Sequence, residues 1–180
     1  MDVKECIKGR RSIRKFKDEK IPHGVIDSIV ELASFAPSWK NSQTTRYIVI
    51  EDKDVIKKIA EDCVLGFGYN TKTMENAAAL VLVTTVAGRC GYEKDGTPST
   101  PKGDRWQNFD AGIAAQTFCL AAHEMGVGSV IMGIFDENEV SKVTEIPEGQ
   151  ELNAFIAIGY PDAEPAAPPR RSAAELVTYR

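Results

Sequence analysis

Arg10-Arg11-Ser12-Ile13-Arg14 places three arginines and a hydroxyl within five residues of this 180-residue chain. Guanidinium forks match the geometry of a phosphate, and a serine hydroxyl adds one more donor. A second basic pair, Arg170-Arg171, lies near the far end. Between the two, the stretch APSWKNSQ, residues 36–43, sits between an amphipathic run and a hydrophobic one. Almost every side chain in it donates or accepts a hydrogen bond, although a plain turn needs only one or two such residues. The surplus suggests a loop that holds something. The net charge is −4. Two basic clusters and a polar loop in an acidic chain admit a small anionic ligand. The N-terminal cluster can also be read as a solvated basic turn or a nucleic-acid patch, and the acidic total argues against nucleic acid as the main partner.

Other chemistries lack their residues. There is no GxxxxGK[ST] phosphate loop, and the GxG of Gly126 and Gly128 precedes an expected strand where a dinucleotide fingerprint opens a helix. GxSxG is missing, and nothing pairs a Cys or Ser nucleophile with a nearby His. Cys6, Cys63, Cys90 and Cys119 form no CxxC pair, and His23 and His123 are not spaced as metal ligands, so no metal is expected. Free thiols fit a reducing compartment. His123 lies in an apolar helical run and reads as a partly buried structural residue. No apolar run approaches the ~20 residues that span a bilayer, and MDVKECIKGRRS lacks the apolar stretch of a signal peptide. A cytoplasmic protein without a membrane partner is expected.

The elements that must position these residues follow from periodicity. Residues 2–9 can form a short helix with Val3, Cys6 and Ile7 on one side. Pro22 suits a helix start, and Val25, Ile26, Ile29, Val30, Leu32, Ala33 and Ala36 follow at helical spacing. Residues 47–50 read as a buried strand and 55–60 as a helix. Residues 64–76 read as irregular or partly helical, punctuated by Gly66 and Gly68. Residues 79–86, ALVLVTTV, form a second strand pattern. Residues 88–105 are rich in Gly, Pro, Lys and Asp and read as either a lid or a surface insertion. Residues 109–125 predict a long helix, poor in charge, buried in a core or an oligomer interface. Strands are predicted at 129–134 and 154–160, with a short helix opened by Asp136 and Glu139 between them.

The last twenty residues contain four prolines, which keep the segment extended. Leu176, Val177 and Tyr179 suggest that its end docks as a strand. The order predicts a single α+β domain over residues 1–180, built on a mixed central β-sheet flanked by helices.

Taken together, RRSIRKF, IPHGVIDSIVELASFAPSWKNSQ, RYIVIED, DAGIAAQTFCLAAHEMGVGSVIMGIFD and IPEGQELNAFIAIGYPDAEP followed by PRR resemble the nitroreductase family of flavoproteins. The likeness spans nearly the whole chain, in order. It implies a homodimer with FMN at the subunit interface, NADH or NADPH as donor, and two-electron reduction of a small acceptor such as a nitroaromatic or a quinone. A flavin carrier or sensor without turnover is the alternative. The C-terminal arm, residues 160–180, is expected to wrap the partner subunit.

The resemblance also implies site residues. Arg10, Arg11, Ser12 and Arg14 would grip the FMN phosphate and reach toward the ring, with Arg14 as an electrostatic support. Pro37, Ser38, Trp39, Asn41 and Gln43 would line the partner subunit's flavin; Trp39 would stack near the ring or plug the interface. Asn70 would meet the pyrimidine edge, with Lys72 or Thr73 beside it. Ile131, Met132 and Gly133 would flank the reactive face, with the Gly133 backbone pointing at N5. Arg170, with Arg171 as neighbour, would close on the phosphate.

Overall fold

A computed structural model describes residues 1–180. Its centre is a four-stranded sheet in the order β1-β2-β4-β3, with β1 Thr45–Ile50, β2 Ala79–Val86, β3 Gly128–Met132 and β4 Gln150–Gly159. All neighbouring strands run antiparallel. The expected mixture of directions is confined to one isolated parallel bridge, Ser12 to Ser129. The two inner strands, β2 and β4, explain the unbroken apolar runs, because both of their faces are covered.

The period of two sorts side chains between the faces. Leu80, Leu82, Phe155 and Ala157 point to one side and pack with Ile56 and Ile59 of α3 (Lys53–Asp62), Met74 of α4 (Gly68–Glu75) and Val140 of α6 (Glu137–Val143). Val81, Val83, Ile156 and Ile158 point to the other side. They meet Ile26 and Ile29 of α2 (His23–Ala33) and Phe118 and Ala122 of the long helix α5 (Arg105–Glu124). Alanines 111, 114, 115, 121 and 122 let α5 lie close on the sheet. Its other face carries Phe109, 59% exposed, so α5 is half covered rather than enclosed. No helix is long and apolar enough to cross a membrane.

Two short segments frame the sheet. Helix α1, Val3–Gly9, opens on an Asp2–Glu5 capping box. After Tyr160 the chain runs extended and exposed to a last turn, α7 Ala173–Leu176. The strand expected around Leu176, Val177 and Tyr179 does not pair within the chain. Ser172 and Glu175 form a capping box that starts a helix there, and all three apolar side chains stay exposed.

Candidate functional site

The arginine segment is fixed by two glycines that face each other across the sheet. Gly128 of β3 and Gly159 of β4 are register partners. A Cβ on Gly128 would meet Ile13 at 3.0 Å, and one on Gly159 would meet Phe16 at 2.8 Å. The missing side chains therefore let RRSIRKF lie flat on the strand ends. Backbone bonds hold it there: Ile13 N–H to Ser129 O at 3.0 Å, Lys17 N–H to Tyr160 O at 2.9 Å, and Asp162 N–H to Lys15 O at 3.0 Å.

That placement brings Arg10, Arg11, Ser12, Arg14 and Arg170 around one cleft of about 270 Å³, completed by Pro165, Ala166 and Pro168. No carboxylate lines it. Arg11 is engaged elsewhere as well: its Nη1 donates to the carbonyls of Lys8 (2.5 Å), Gly9 (3.2 Å) and Arg10 (2.9 Å). These are orphan acceptors at the negative end of α1, so Arg11 caps the helix. Arg171 lies outside the cleft and is exposed.

The predicted flavin-edge residues meet in part. Asn70 is buried in α4, and its Nδ2 donates to Ile134 O at 3.3 Å, joining α4 to the segment after β3. Ile131 and Ile134 are exposed at 44% and 42%, while Met132 points into the core. A Cβ on Gly133 would meet nothing within 4 Å, so this surface is open. Lys72 is not brought to the face of Asn70. Two residues on, a helix has turned about 200°, and Lys72 is exposed. Thr73 is the buried one, its hydroxyl donating to Tyr69 O at 2.7 Å.

The loop at 37–43 is held in a demanding shape. Lys40, Asn41 and Gln43 all have positive φ, at 46°, 54° and 47°. Non-glycine residues adopt this region only under constraint. The constraint is visible: Ser38 Oγ accepts from Gln43 N–H at 3.0 Å, and the Asp110 carboxylate accepts from Trp39 N–H at 2.8 Å. The Trp39 and Trp106 rings lie 5.1 Å apart, and Lys40 Nζ pairs with Glu93 at 2.8 Å. Residues 88–105 therefore pack on this loop, and they are ordered by a small hairpin in which Glu93 N–H donates to Thr97 O at 2.8 Å and Ser99 N–H to Gly91 O at 2.9 Å.

Within one chain this loop and the arginine cleft do not share a cavity. Pro37, Ser38 and Gln43 open onto a groove of about 610 Å³ between α2, α5 and β1. Trp39 and Asn41 line a separate cleft of about 570 Å³ beside residues 88–96.

Two features went unread in the sequence, the Asp110–Gln107 pair and Cys90, while His123 is partly buried as expected. Asp110 and Gln107 are buried polar residues three apart on an alanine-rich helix, and that spacing was the available signal. Cys90, fully buried, donates its thiol to the same Asp110 oxygen at 3.0 Å. Burial, then the bond to Asp110, pushes the thiol up to about 12, so it stays a protonated donor. His123 is held below its ordinary range by burial, then by the charges of Arg10 and Arg11. Its Nε2 is buried without a partner.

Known proteins resemble this chain in sequence and in fold. The family model described as "Nitroreductase family" matches residues 7–72 and 68–160. A Methanothermobacter thermautotrophicus protein, provisionally named an NADH dehydrogenase/NAD(P)H nitroreductase, is 31% identical over 92% of this chain and 80% of its own length. The FMN reductase [NAD(P)H] of Bacillus subtilis is 29% identical, over 94% of this chain and 70% of its own. The solved structure of an FMN-dependent nitroreductase from Clostridium difficile R20291 superposes with a TM-score of 0.73 at 27% identity, covering 96% of this chain and 94% of that one. With a family model matched over most of its length and relatives aligned nearly end to end, the chain belongs to the nitroreductase family.

Proposed function

We propose that the protein is an FMN-dependent NAD(P)H oxidoreductase that reduces nitroaromatics, quinones or related small acceptors. The observation that carries this reading is the cleft of Arg10, Arg11, Ser12, Arg14 and Arg170, lined by four guanidiniums and no carboxylate in a chain of net charge −4. That donor set fits the phosphate of FMN. The names borne by the Methanothermobacter and Bacillus relatives support the same activity.

FMN, when bound, supplies two-electron transfer between the nicotinamide donor and the acceptor. The chain's own part is to bind, orient and tune. Arg10, Ser12, Arg14 and Arg170 would hold the phosphate end, while Arg11 keeps the segment in place by capping α1. Asn70 would face the ring's polar edge, and Ile131 and Gly133 would leave its reactive side open. Arg14 would supply fixed positive charge to the reduced form, with Lys72, exposed on α4, as the second candidate. One open face serving donor and acceptor in turn predicts ping-pong kinetics.

The protein is read as one domain over residues 1–180 that works as a homodimer. The separation of the 37–43 loop from the arginine cleft within one chain supports a site completed by the partner subunit. The exposed apolar residues Phe35 (80%), Phe109 (59%) and Tyr179 (89%) support an interface that the arm at 160–180 helps to wrap. Four free cysteines fit a cytoplasmic setting.

The test is retention of FMN in the double variant Arg10→Ala/Arg170→Ala. Loss of two phosphate-binding charges should weaken binding by about 2–5 kcal/mol. Retention equal to the parent would place the phosphate elsewhere.

A further inference from the structure

We propose that the acceptor side of this site selects planar aromatic anions, through Arg89 and Lys94 beside the rings of Trp39 and Tyr92. The proposal rests on the reading that the 37–43 loop faces the flavin.

The cleft between residues 39–42 and 88–96 has a volume of about 570 Å³, a size that suits a small molecule. Its charged lining is Lys40, Arg89, Lys94 and Glu93. Lys40 and Glu93 neutralise each other at 2.8 Å, and Ser99 Oγ also donates to Glu93, at 2.5 Å. Lys40 and Ser99 hold the Glu93 carboxyl below its usual range, so the pair stays intact at neutral pH. Arg89 and Lys94 remain. Neither makes an ion pair in the structure. The cleft thus carries a formal +2 (three cations less one acid) on a chain of −4.

The remaining lining is partly aromatic, from Trp39 and Tyr92. Two aromatic rings supply apolar faces for a flat ligand, and ring faces together with fixed cations suit an aromatic carboxylate. The backbone is set beforehand, since Lys40 and Asn41 are locked at positive φ and Lys40 is tied across the cleft to Glu93. With 4-nitrobenzoate the reaction is ArNO₂ + NAD(P)H + H⁺ → ArNO + NAD(P)⁺ + H₂O. One N–O bond breaks, its oxygen leaves as water, and both electrons come from the dihydronicotinamide.

The experiment compares 4-nitrobenzoate with neutral 4-nitrobenzyl alcohol as acceptors for the FMN-loaded protein. In Arg89→Ala/Lys94→Ala, the ratio of kcat/KM for the anion to that for the alcohol should fall about tenfold. Added salt should lower the same ratio in the parent. A ratio equal in parent and double variant overturns the proposal. A second readout needs no turnover: 4-nitrobenzoate should quench tryptophan emission in the parent more strongly than in the double variant. If neither acceptor is reduced but this difference persists, the oxidoreductase reading fails and the anion cleft stands. If quenching is equal in both proteins, the anion cleft is overturned.

Discussion

The Trp39 N–H donates to Oδ2 of Asp110 at 2.8 Å, and the Cys90 thiol donates to the same oxygen at 3.0 Å. One buried carboxylate on α5 therefore ties the 37–43 loop to the start of the 88–105 segment. It has no cationic partner, so the two donors are what satisfy it. Replacing it should loosen both walls at once.

Asp110→Ala should cost about 2–3 kcal/mol, because two buried donors lose a charged acceptor. Both tryptophans of the chain, Trp39 and Trp106, stand at this junction. Their emission should shift to the red, and Asp110→Asn, which keeps an acceptor, should restore much of it. Unchanged emission in the alanine variant would separate Asp110 from the loop.

Gly159→Ala should cost about 1–3 kcal/mol through overpacking, because its methyl would meet Phe16 at 2.8 Å. Weaker FMN binding should accompany the loss, since Phe16 anchors the arginine segment. Trimming Phe16 in the same chain should recover part of the stability. Thermal melts and flavin titrations of the single and double variants check both points.

The sheet and its helices were legible in the sequence because each strand holds a dense apolar run, α2 and α3 repeat near 3.6 residues, and α5 is a long run poor in charge. The arginine cluster also came together as expected, since Arg10, Ser12 and Arg14 are close along the chain and Arg170 returns to them. The bonds of Arg11 to the end of α1 were hidden, because a helix-capping arginine and a phosphate-binding arginine look alike in a string of letters. The choice between Lys72 and Thr73 was open in the sequence because one position along a helix changes the face by 100°; Thr73 lies on the buried side of α4 and Lys72 on the exposed side. The Gly128–Gly159 pair and the Asp110 tether depend on residues far apart in the chain, and no local pattern announces either. The C-terminal strand was expected from apolar residues alone; the Ser172–Glu175 box starts one helical turn that takes in Leu176, while Val177 is extended and pairs with no strand of its own chain.

Arg11→Ala should lower stability by about 1 kcal/mol or less, the value of a surface charge at a helix end. Its effect on FMN binding should be smaller than that of Arg10→Ala or Arg170→Ala. An equal effect would return Arg11 to the phosphate.

His123 gives a pH signature. Its folded value lies below the ordinary 6.5, so the unfolded chain binds a proton that the folded chain refuses. Stability should therefore fall as the pH drops through about 6.5. In His123→Gln the loss in Tm between neutral and mildly acidic buffer should be smaller than in the parent. Equal slopes would mean that His123 takes up its proton in the folded state.

The most direct measurement is an anaerobic visible spectrum of the purified protein reconstituted with FMN, before and after NADH and then NADPH. A bound-flavin band that either nicotinamide bleaches is the expected result, with the faster of the two identifying the donor. A protein that leaves FMN free in solution would overturn the assignment of FMN to the arginine cleft. A bound band that neither donor bleaches would leave a flavin carrier or sensor in place of an oxidoreductase.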